Sequence, residues 1–311
     1  MIRVLYCGAA DGRDAYVEAI GRHLTTLGLS AEISDDLPPD TVDYLVYAPS
    51  GPVTDLRPYV RAKAVLSLWA GVEKIVVNPT LTQPLARMVD PGLTQGMVEW
   101  VVGHVLRHHL GIDAHRAAQA ERSWREDLVP PLASQRTVGI LGLGTLGQAS
   151  AKALVGLGFD VVGWSRTAKS LPGVSTSHGT GGLLPTLQKS QILVLLLPET
   201  LATTNLLDAT ALAALPEGAV ILNPGRGPLI DDEALIAALD AGQLSHATLD
   251  VFREEPLPVD HPYWTHPKIT VTPHIASATR TETASAEIAG NIAGVEAGHP
   301  LRHAVNRDLG Y

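Results

Sequence analysis

The sequence predicts an α/β fold with two domains, each built around a doubly wound parallel sheet. Short apolar runs alternate with longer helical patterns from one end of the chain to the other, which is typical of parallel sheets covered by helices. The length of 311 residues suffices for two cores of ordinary size. A glycine-rich turn, Gly142-Leu-Gly144-Thr-Leu-Gly147, marks the second half. We therefore expect two sheets, the second of which carries this turn.

The first hundred residues contain five candidate strands: Ile2–Cys7, Ala31–Ile33, Tyr44–Tyr47, Val65–Leu68 and Lys74–Val77. A helical stretch near Gln95–Leu110 leads to the second block. The last periodic stretch, Thr281–Ala297, is expected to return to the first domain, because chain ends often lie close together. The predicted domains are residues 1–98 plus 281–311 and residues 99–280.

The second block contains six candidate strands with helical patterns between them: Thr137–Leu141, Asp160–Trp164, Ile192–Leu197, Ala219–Asn223, Ala247–Val251 and Ile269–Thr272. Six parallel strands connected by helices are what a dinucleotide-binding sheet of the Rossmann type requires.

Composition narrows the possible partners and surroundings. The formal net charge of −9 argues against nucleic-acid binding, which needs a basic face. The longest apolar runs are strand-length, so no membrane span is expected, and the N-terminus shows no secretory pattern. The single cysteine, Cys7, excludes an intramolecular disulfide and is expected to be a buried strand residue. These features predict a cytoplasmic protein.

The glycine-rich turn stands between the strand that ends near Leu141 and a helix predicted over Leu146–Leu157. In such a turn Gly142 makes the bend, Gly144 lets backbone approach a pyrophosphate, and Gly147 lets the helix pack on the strand. The helix start, with Thr145 and Leu146, offers N–H groups to phosphate. This pattern predicts a nucleotide site.

The end of the next strand indicates which nucleotide is bound. An NAD site normally has an acid there to accept from the ribose 2′-OH. Here the sequence is Ser165-Arg166-Thr167, with Lys169 close behind. An acid would repel a 2′-phosphate, whereas these residues can receive one. The alternative is a solvated arginine on a loop. We expect NADP to be preferred, with NAD as the alternative cofactor.

Three chemically distinctive residues follow the last three strands. Arg226 lies in Asn-Pro-Gly-Arg-Gly-Pro, Glu255 in Phe-Arg-Glu-Glu-Pro, and His274 in Thr-Pro-His-Ile-Ala-Ser. Ligands of open α/β sheets bind beyond the carboxyl ends of strands, so the three segments are expected to converge. Arginine can clamp a carboxylate, histidine can pass a proton, and an acid can orient the histidine. Reduction of a 2-oxo acid needs these groups together with a nicotinamide. Glycines on both sides of Arg226 are expected to leave room for a ligand.

Together these peptides resemble the D-2-hydroxyacid dehydrogenase family, and the match covers nearly the whole chain. Within it the chain looks most like the glyoxylate/hydroxypyruvate reductase branch. The indicative segments are Trp-Ser-Arg-Thr at 164–167, Val-Thr-Pro-His-Ile-Ala-Ser-Ala-Thr-Arg at 271–280, and the ending Val-Asn-Arg-Asp-Leu-Gly-Tyr. The resemblance implies a flavodoxin-like substrate domain beside the Rossmann nucleotide-binding domain.

The resemblance also implies roles for individual residues. Arg226 would hold the carboxylate and carbonyl oxygen of the substrate, His274 would donate a proton to that oxygen, and Glu255 would hydrogen-bond the imidazole. The remaining implied contacts are Asp250 and Ser277 near the nicotinamide, Pro198 and Thr203 in a cofactor-lining loop, and the backbone N–H groups of Ala70, Gly71 and Val72 on the substrate carboxylate.

Several alternatives stay open on the sequence. One is an NAD-linked dehydrogenase of a bulkier D-2-hydroxy acid; another is a non-catalytic nucleotide-sensing protein. Trp69 stands where the family usually has a small residue, and it would reshape the substrate space if it pointed inward. Glu254 adjoins Glu255, so the acid is chosen by family spacing alone.

Two further expectations concern metals and assembly. His104 and His108 are four residues apart on a predicted helix, but no cysteine or nearby acid pair would complete a zinc shell, so no metal is expected. The resemblance implies a homodimer. The apolar helix over 97–102, together with Trp124, is a candidate contact surface; the alternative is that this helix packs inside one subunit.

Overall fold

The computed structural model describes residues 1–310, which fold into two compact units. The first unit comprises Met1–Leu93 with residues 278–310, and the second comprises Thr94–Ser277. The chain passes from one unit to the other after Leu93 and again after Ser277, a few residues before the predicted boundaries at 98 and 280. Each unit has its own parallel sheet with helices around it, so the predicted α/β fold class is confirmed.

The first unit contains a five-stranded sheet in the order β2-β1-β3-β4-β5, which is the flavodoxin-like order. Its strands are β1 Ile2–Cys7, β2 Ala31–Ser34, β3 Tyr44–Tyr47, β4 Ala64–Ser67 and β5 Leu85–Ala86. Its helices, numbered along the whole chain, are α1 Arg13–Thr26, α2 Glu73–Val76 and α9 Thr281–Glu296. Cys7 is buried in β1, as predicted, and burial raises the pKa of its thiol to about 12.

One predicted strand of the first unit is wrong. The short apolar run Lys74–Val77 is predicted to be a strand, but Glu73–Val76 forms the short helix α2. A parallel strand buries nearly all its side chains. In this segment Ile75 is buried whereas Val77 is exposed. The fifth strand, β5, has only two residues, too few to show a periodic pattern in the sequence.

The second unit contains a seven-stranded sheet in the order β12-β11-β10-β9-β6-β7-β8. Its strands are β6 Thr137–Leu141, β7 Asp160–Ser165, β8 Val174–His178, β9 Ile192–Leu195, β10 Ala219–Asn223, β11 Leu244–Leu249 and β12 Ile269–Val271. Its helices are α3 Pro91–His109, α4 Ile112–Ala120, α5 Thr145–Gly156, α6 Gly179–Leu187, α7 Ala209–Ala213 and α8 Asp232–Asp240. The six predicted strands are present, and the sheet has the Rossmann order 3-2-1-4-5-6, in which β8 is the third strand and β12 extends the sheet. The seventh, β8, was missed because its sequence, Val-Ser-Thr-Ser-His, is polar and lies at the sheet edge.

The central strands of this sheet are buried on both faces. Leu141 and Ile221 pack into the apolar cluster on one face, while Ile140 and Leu222 pack into the cluster on the other. This alternation follows from the two-residue period of a strand. Packing on both faces helps to fix the register of the strands. Because the strands are parallel, the turns after β6, β7, β9, β10, β11 and β12 emerge at one edge of the sheet.

The helix proposed as a dimer surface is largely part of this core. Met97, Val101 and Val105 of α3 are buried in the second unit's own apolar cluster, and Trp100 and Val102 pack against it. The apolar period of the helix therefore reflects packing within the subunit, and a contact of its partly exposed side with a second copy stays a prediction. Trp124, in contrast, is 86% exposed. Within residues 1–310, no helix combines the length and apolar character needed to cross a membrane.

Candidate active site

The glycine-rich turn joins the end of β6 to α5 through very close backbone packing. Gly142 adopts a φ of 105°, and a Cβ there would lie 2.4 Å from the carbonyl oxygen of Leu196. A Cβ on Gly147 would lie 1.8 Å from the carbonyl oxygen of Gly142. Both positions therefore require glycine, one for its backbone angle and both for space. The Gly142 N–H donates to the carbonyl of Trp164 at 2.8 Å, which ties the turn to β7.

The N-terminus of α5 is open to an anion. Gly144 is the N-cap residue and has no side chain to accept from the first-turn N–H groups of Thr145, Leu146 and Gly147. Apart from Gly144 and its two chain neighbours, no atom of the part that the structure describes lies within 4 Å of where a Gly144 Cβ would stand. Backbone donors, helix dipole and clear space thus fit a pyrophosphate.

The carboxyl end of β7 presents polar and basic groups. Ser165 is buried, and its hydroxyl donates to the carbonyl of Thr167 at 2.7 Å, which folds the strand end into a turn. Arg166, Thr167 and Lys169 are exposed. This part of the chain therefore offers cations where an NAD site would place a carboxylate.

The predicted cofactor-lining loop follows β9 and is held by one hydroxyl. Thr203 Oγ1 donates to the carbonyl of Pro198 at 2.8 Å and accepts from the Thr200 N–H at 2.8 Å. Thr203 thus closes the loop on itself, a positional role that the sequence motif did not indicate.

Arg226 follows β10 and is positioned by Asn223, a buried residue that the sequence analysis missed. Asn223 Nδ2 donates to the carbonyl of Arg226 at 2.9 Å, and its Oδ1 accepts from the Gly225 N–H at 3.1 Å. The Arg226 guanidinium donates to the carbonyl of Gly225 at 2.6 Å. The amide of Asn223 thereby shapes the turn from which the guanidinium projects.

The glycines beside Arg226 do not leave room for a ligand, contrary to the expectation from sequence. A Cβ on Gly227 would lie 2.1 Å from the backbone carbonyl carbon of Phe252, and one on Gly225 would lie 2.9 Å from the carbonyl oxygen of Leu195. The space is filled by the protein's own backbone. Gly227 therefore brings the turn after β10 against the turn that follows β11, and Gly225 brings it against the end of β9.

Glu255 and His274 form a close pair. Glu255 Oε2 lies 2.7 Å from His274 Nδ1, while Oε1 accepts from the Phe252 N–H at 2.9 Å. The backbone bond fixes the carboxylate and leaves its other oxygen for the imidazole. Glu255, not its neighbour Glu254, is the acid that makes this contact, and the His274 side chain remains 51% exposed.

The segment that carries Glu255 is anchored to α8. Arg253 Nε donates to Asp232 Oδ2 at 3.0 Å, and the Tyr263 hydroxyl donates to Asp232 Oδ1 at 2.8 Å. Burial, followed by the charge of Asp232, raises the pKa of Tyr263, so the phenol stays a neutral donor. This network stabilises the segment on both sides of Glu255.

Asp250 organises the loop that holds His274. Its buried carboxylate accepts from the Thr272 hydroxyl at 2.5 Å and the Ile275 N–H at 3.0 Å through Oδ1, and from the Ala276 N–H at 2.9 Å through Oδ2. Its carbonyl accepts from the His274 N–H at 2.8 Å. His274 has a φ of 53°, a left-handed conformation that surrounding bonds must maintain in a non-glycine residue. Asp250 supplies those bonds; a direct contact with the nicotinamide, like that of Ser277, stays a prediction.

In the first unit, the predicted carboxylate-binding segment follows β4. Val72 is buried and is the N-cap residue of α2, and Trp69 is 37% exposed. The Trp69 N–H donates to the Ser67 hydroxyl at 2.9 Å, and the Trp69 carbonyl accepts from the Met88 N–H at 3.0 Å. These bonds fix the backbone that leads into Ala70 and Gly71.

His108 of α3 joins a half-buried cluster in the second unit. His108 Nε2 lies 2.9 Å from Thr248 Oγ1, and the rings of His108 and His246 are 4.9 Å apart. Burial and the neighbouring His246 lower the pKa of His108 to about 3; burial and Arg107 lower that of His246 to about 4. Both rings are therefore neutral near pH 7. Over the described residues, no group of three or more His, Cys, Asp or Glu is arranged to hold a metal ion.

Comparisons with known proteins identify the family. The chain is 39% identical over 284 residues to glyoxylate/hydroxypyruvate reductase A of Serratia proteamaculans (strain 568), which spans 89% of each protein. A crystal structure of a D-isomer specific 2-hydroxyacid dehydrogenase from Xanthobacter autotrophicus Py2, in complex with NADPH and MES, is 39% identical. It superposes with a TM-score of 0.93 over 100% of this chain and 99% of that one.

A second crystal structure agrees with the first. The NADPH-dependent glyoxylate/hydroxypyruvate reductase of Sinorhizobium meliloti, in complex with NADP and sulfate, is 34% identical with a TM-score of 0.86, over 100% of this chain and 99% of that one. Residues 102–276 match the family described as D-isomer specific 2-hydroxyacid dehydrogenase, NAD binding domain. The resemblance inferred from the motifs is confirmed: the chain belongs to the D-isomer specific 2-hydroxyacid dehydrogenase family.

Proposed function

We propose that this protein is an NADPH-dependent reductase that transfers a hydride to a small 2-oxo acid such as glyoxylate or hydroxypyruvate. The observation that carries the proposal is the 2.7 Å pair of His274 and Glu255, built into the same unit as an uncapped, open nucleotide turn. The relatives named glyoxylate/hydroxypyruvate reductase support the choice of substrate.

The residues present fit a bound NADPH, which supplies the hydride. The N–H groups at Gly144, Thr145 and Leu146 would receive the pyrophosphate, because the start of α5 is open there. Ser165, Arg166 and Thr167 would receive the 2′-phosphate, since hydroxyl and guanidinium groups bind phosphate well. The proposed lining of the nicotinamide half is Pro198, Thr203, Asp250 and Ser277.

The substrate would be held and protonated by the catalytic residues. Arg226 is proposed to clamp the carboxylate and carbonyl oxygen, with the backbone of Ala70, Gly71 and Val72 as further carboxylate donors. Glu255 occupies His274 Nδ1, which leaves Nε2 to carry the proton. As the carbonyl carbon gains hydride, the Nε2–H proton would pass to the oxygen. The 2-oxo acid, one hydride and one proton thereby become the 2-hydroxy acid.

A sensor without turnover is less consistent with the site. Nucleotide binding requires the glycine-rich turn and the end of β7. It does not require His274, whose imidazole is held by the Glu255 carboxylate and is otherwise exposed. The basic end of β7 also favours NADPH over the NAD-linked alternative.

The proposal is tested by following NADPH oxidation at 340 nm with glyoxylate, hydroxypyruvate and longer 2-oxo acids. We expect turnover with the two small acids and a preference for NADPH over NADH. Arg166→Ala should raise the KM for NADPH and leave that for NADH nearly unchanged, whereas Arg116→Ala on α4, also exposed, should change neither. Absence of turnover with every 2-oxo acid would refute the reductase.

We further propose a cytoplasmic homodimer. Support comes from the exposed apolar residues Trp124, Val129 and Leu132, which follow α4 and which a second copy would cover. The single buried cysteine is consistent with a reducing compartment. Light scattering at micromolar protein should return about twice the chain mass of 32.9 kDa, and Trp124→Glu should weaken the dimer. A mass of one chain for the unmodified protein would exclude it.

A further inference from the structure

We propose that His178, at the end of the edge strand β8, is an additional 2′-phosphate contact that makes NADPH selectivity depend on pH. This inference rests on the proposed NADPH-dependent function. It assigns a cofactor role to a residue that the sequence motifs did not indicate, because the strand that carries it was itself missed.

The strand register places His178 beside the predicted 2′-phosphate residues. In the parallel pairing of β7 with β8, Ser165 and His178 are direct partners. Adjacent strands lie about 4.8 Å apart, and paired residues project from the same face of the sheet. His178 therefore stands one strand spacing from Ser165, at the same carboxyl edge, and its side chain is exposed.

The shared face is the one that carries the nucleotide turn. A Cβ on Gly163, two residues before Ser165 on the same face of β7, would lie 2.8 Å from the side chain of Leu143, within the turn. The opposite face is covered by α6: Trp164 Nε1 donates to the carbonyl of Gly179 at 2.8 Å, and Ser177 Oγ donates to the carbonyl of Gly182 at 3.0 Å. His178 thus projects with Ser165 toward the turn and away from α6.

The surroundings of His178 are basic. Lys169 belongs to the connection between β7 and β8, and the Thr176 hydroxyl holds that connection by donating to the Lys169 carbonyl at 2.7 Å. Arg166 follows Ser165 directly. The helix that follows His178, α6, has no ionisable side chain, and Asp160 lies at the far end of β7. Between the end of β7 and the end of α6, the ionisable side chains other than His178 are therefore the cations of Arg166 and Lys169, an arrangement suited to a dianion.

A phosphate held here would favour the protonated imidazole, because opposite charges stabilise each other. NADH lacks this phosphate, so protonation of His178 would not strengthen its binding. The ratio of NADPH affinity to NADH affinity should therefore increase as pH falls from 8 to 6. The phosphate's own protonation, with a second pKa of about 6, works against this trend, so the comparison must be made between variants.

The test is the Kd of NADPH and of NADH, measured by nucleotide fluorescence at pH 6.0 and 8.0 for the whole protein and for His178→Ala. An exposed ion pair is worth up to about 1 kcal/mol, so we expect NADPH binding by the variant to weaken about fivefold at pH 6.0 and little at pH 8.0, with NADH unchanged. Titration of the phosphate affects the unmodified protein and His178→Ala alike, so it cancels when their Kd values are compared at the same pH. His299→Ala, an exposed histidine of the first unit, is the matched control and should change nothing.

The possible outcomes separate this inference from the function on which it rests. If the unmodified protein binds both nucleotides equally, the proposed NADPH preference fails. If it prefers NADPH and His178→Ala keeps the same selectivity at both pH values, only the role of His178 is refuted. An equal loss of NADPH and NADH binding in the variant would mean that His178 merely supports the strand end, which also overturns the inference.

Discussion

Replacing Asp250 with Asn should destabilise the loop that holds His274 and thereby lower turnover. The carboxylate accepts three hydrogen bonds, two at Oδ1 and one at Oδ2, in a fully buried position. An asparagine can keep its oxygen at the first position, but its NH2 group then faces the Ala276 N–H. Two donors confront each other where no water can reach them.

The expected loss of stability in Asp250→Asn follows from the one hydrogen-bond donor that is left without an acceptor. One buried donor left without an acceptor costs about 1–3 kcal/mol. For a unit of this size, 1 kcal/mol corresponds to a change of about 2–4 °C in Tm, so Asp250→Asn should lower Tm by about 2–12 °C. Because His274 is held at a φ of 53° by this loop, kcat should fall as well, whereas NADPH binding should persist.

Differential scanning calorimetry and steady-state kinetics measure both effects, with the exposed Asp260→Asn as the matched control. The reasoning would be wrong if Asp250→Asn kept its Tm and kcat but lost NADPH affinity. In that case the carboxylate would act mainly on the cofactor, not on the loop.

Three more outcomes are expected. His274→Ala should lose about 10²–10⁴-fold in kcat with NADPH binding intact. Glu255→Gln should also lower kcat with NADPH binding intact, because a neutral amide replaces the carboxylate that holds the His274 imidazole. Near-normal turnover in either variant would contradict these roles. Gly147→Ala should weaken NADPH binding and lower Tm, since its Cβ would meet a carbonyl oxygen at 1.8 Å, and a Tm equal to that of the unmodified protein would count against this packing. The pKa values of His108 and His246 are about 3 and about 4, against an ordinary 6.5, so between these values the unfolded chain binds more protons than the folded one. The free energy of unfolding should therefore be unaffected by these histidines above pH 6.5 and should decline as pH falls toward 3. The urea midpoint of His246→Gln should decline less steeply over the same pH range.

Much of the fold was predictable because a buried parallel strand can be recognised from a short stretch of sequence. Ile192–Leu195 and Ala219–Asn223 are continuous apolar runs, since both of their faces meet side chains in the core. The glycine turn was predictable for the same reason, because a φ of 105° at Gly142 demands a residue type that can be read directly. The edge strand β8 was not predictable because it is largely unburied and polar, and β5 was not predictable because, although buried, it has only two residues.

The local sequence also specifies which chemical groups follow which strands, and so it indicated Arg226, Glu255 and His274. Only the tertiary structure shows how they are held. Asp250 acts through hydrogen bonds to backbone groups up to 26 residues away, and nothing in its own neighbourhood of the sequence marks those partners. The glycines beside Arg226 proved to be packing positions, because the atoms that fill their space come from Leu195 and Phe252 on other strand ends. Chemical identity is a property of one residue, whereas position in a site depends on contacts that exist only once distant segments have packed together.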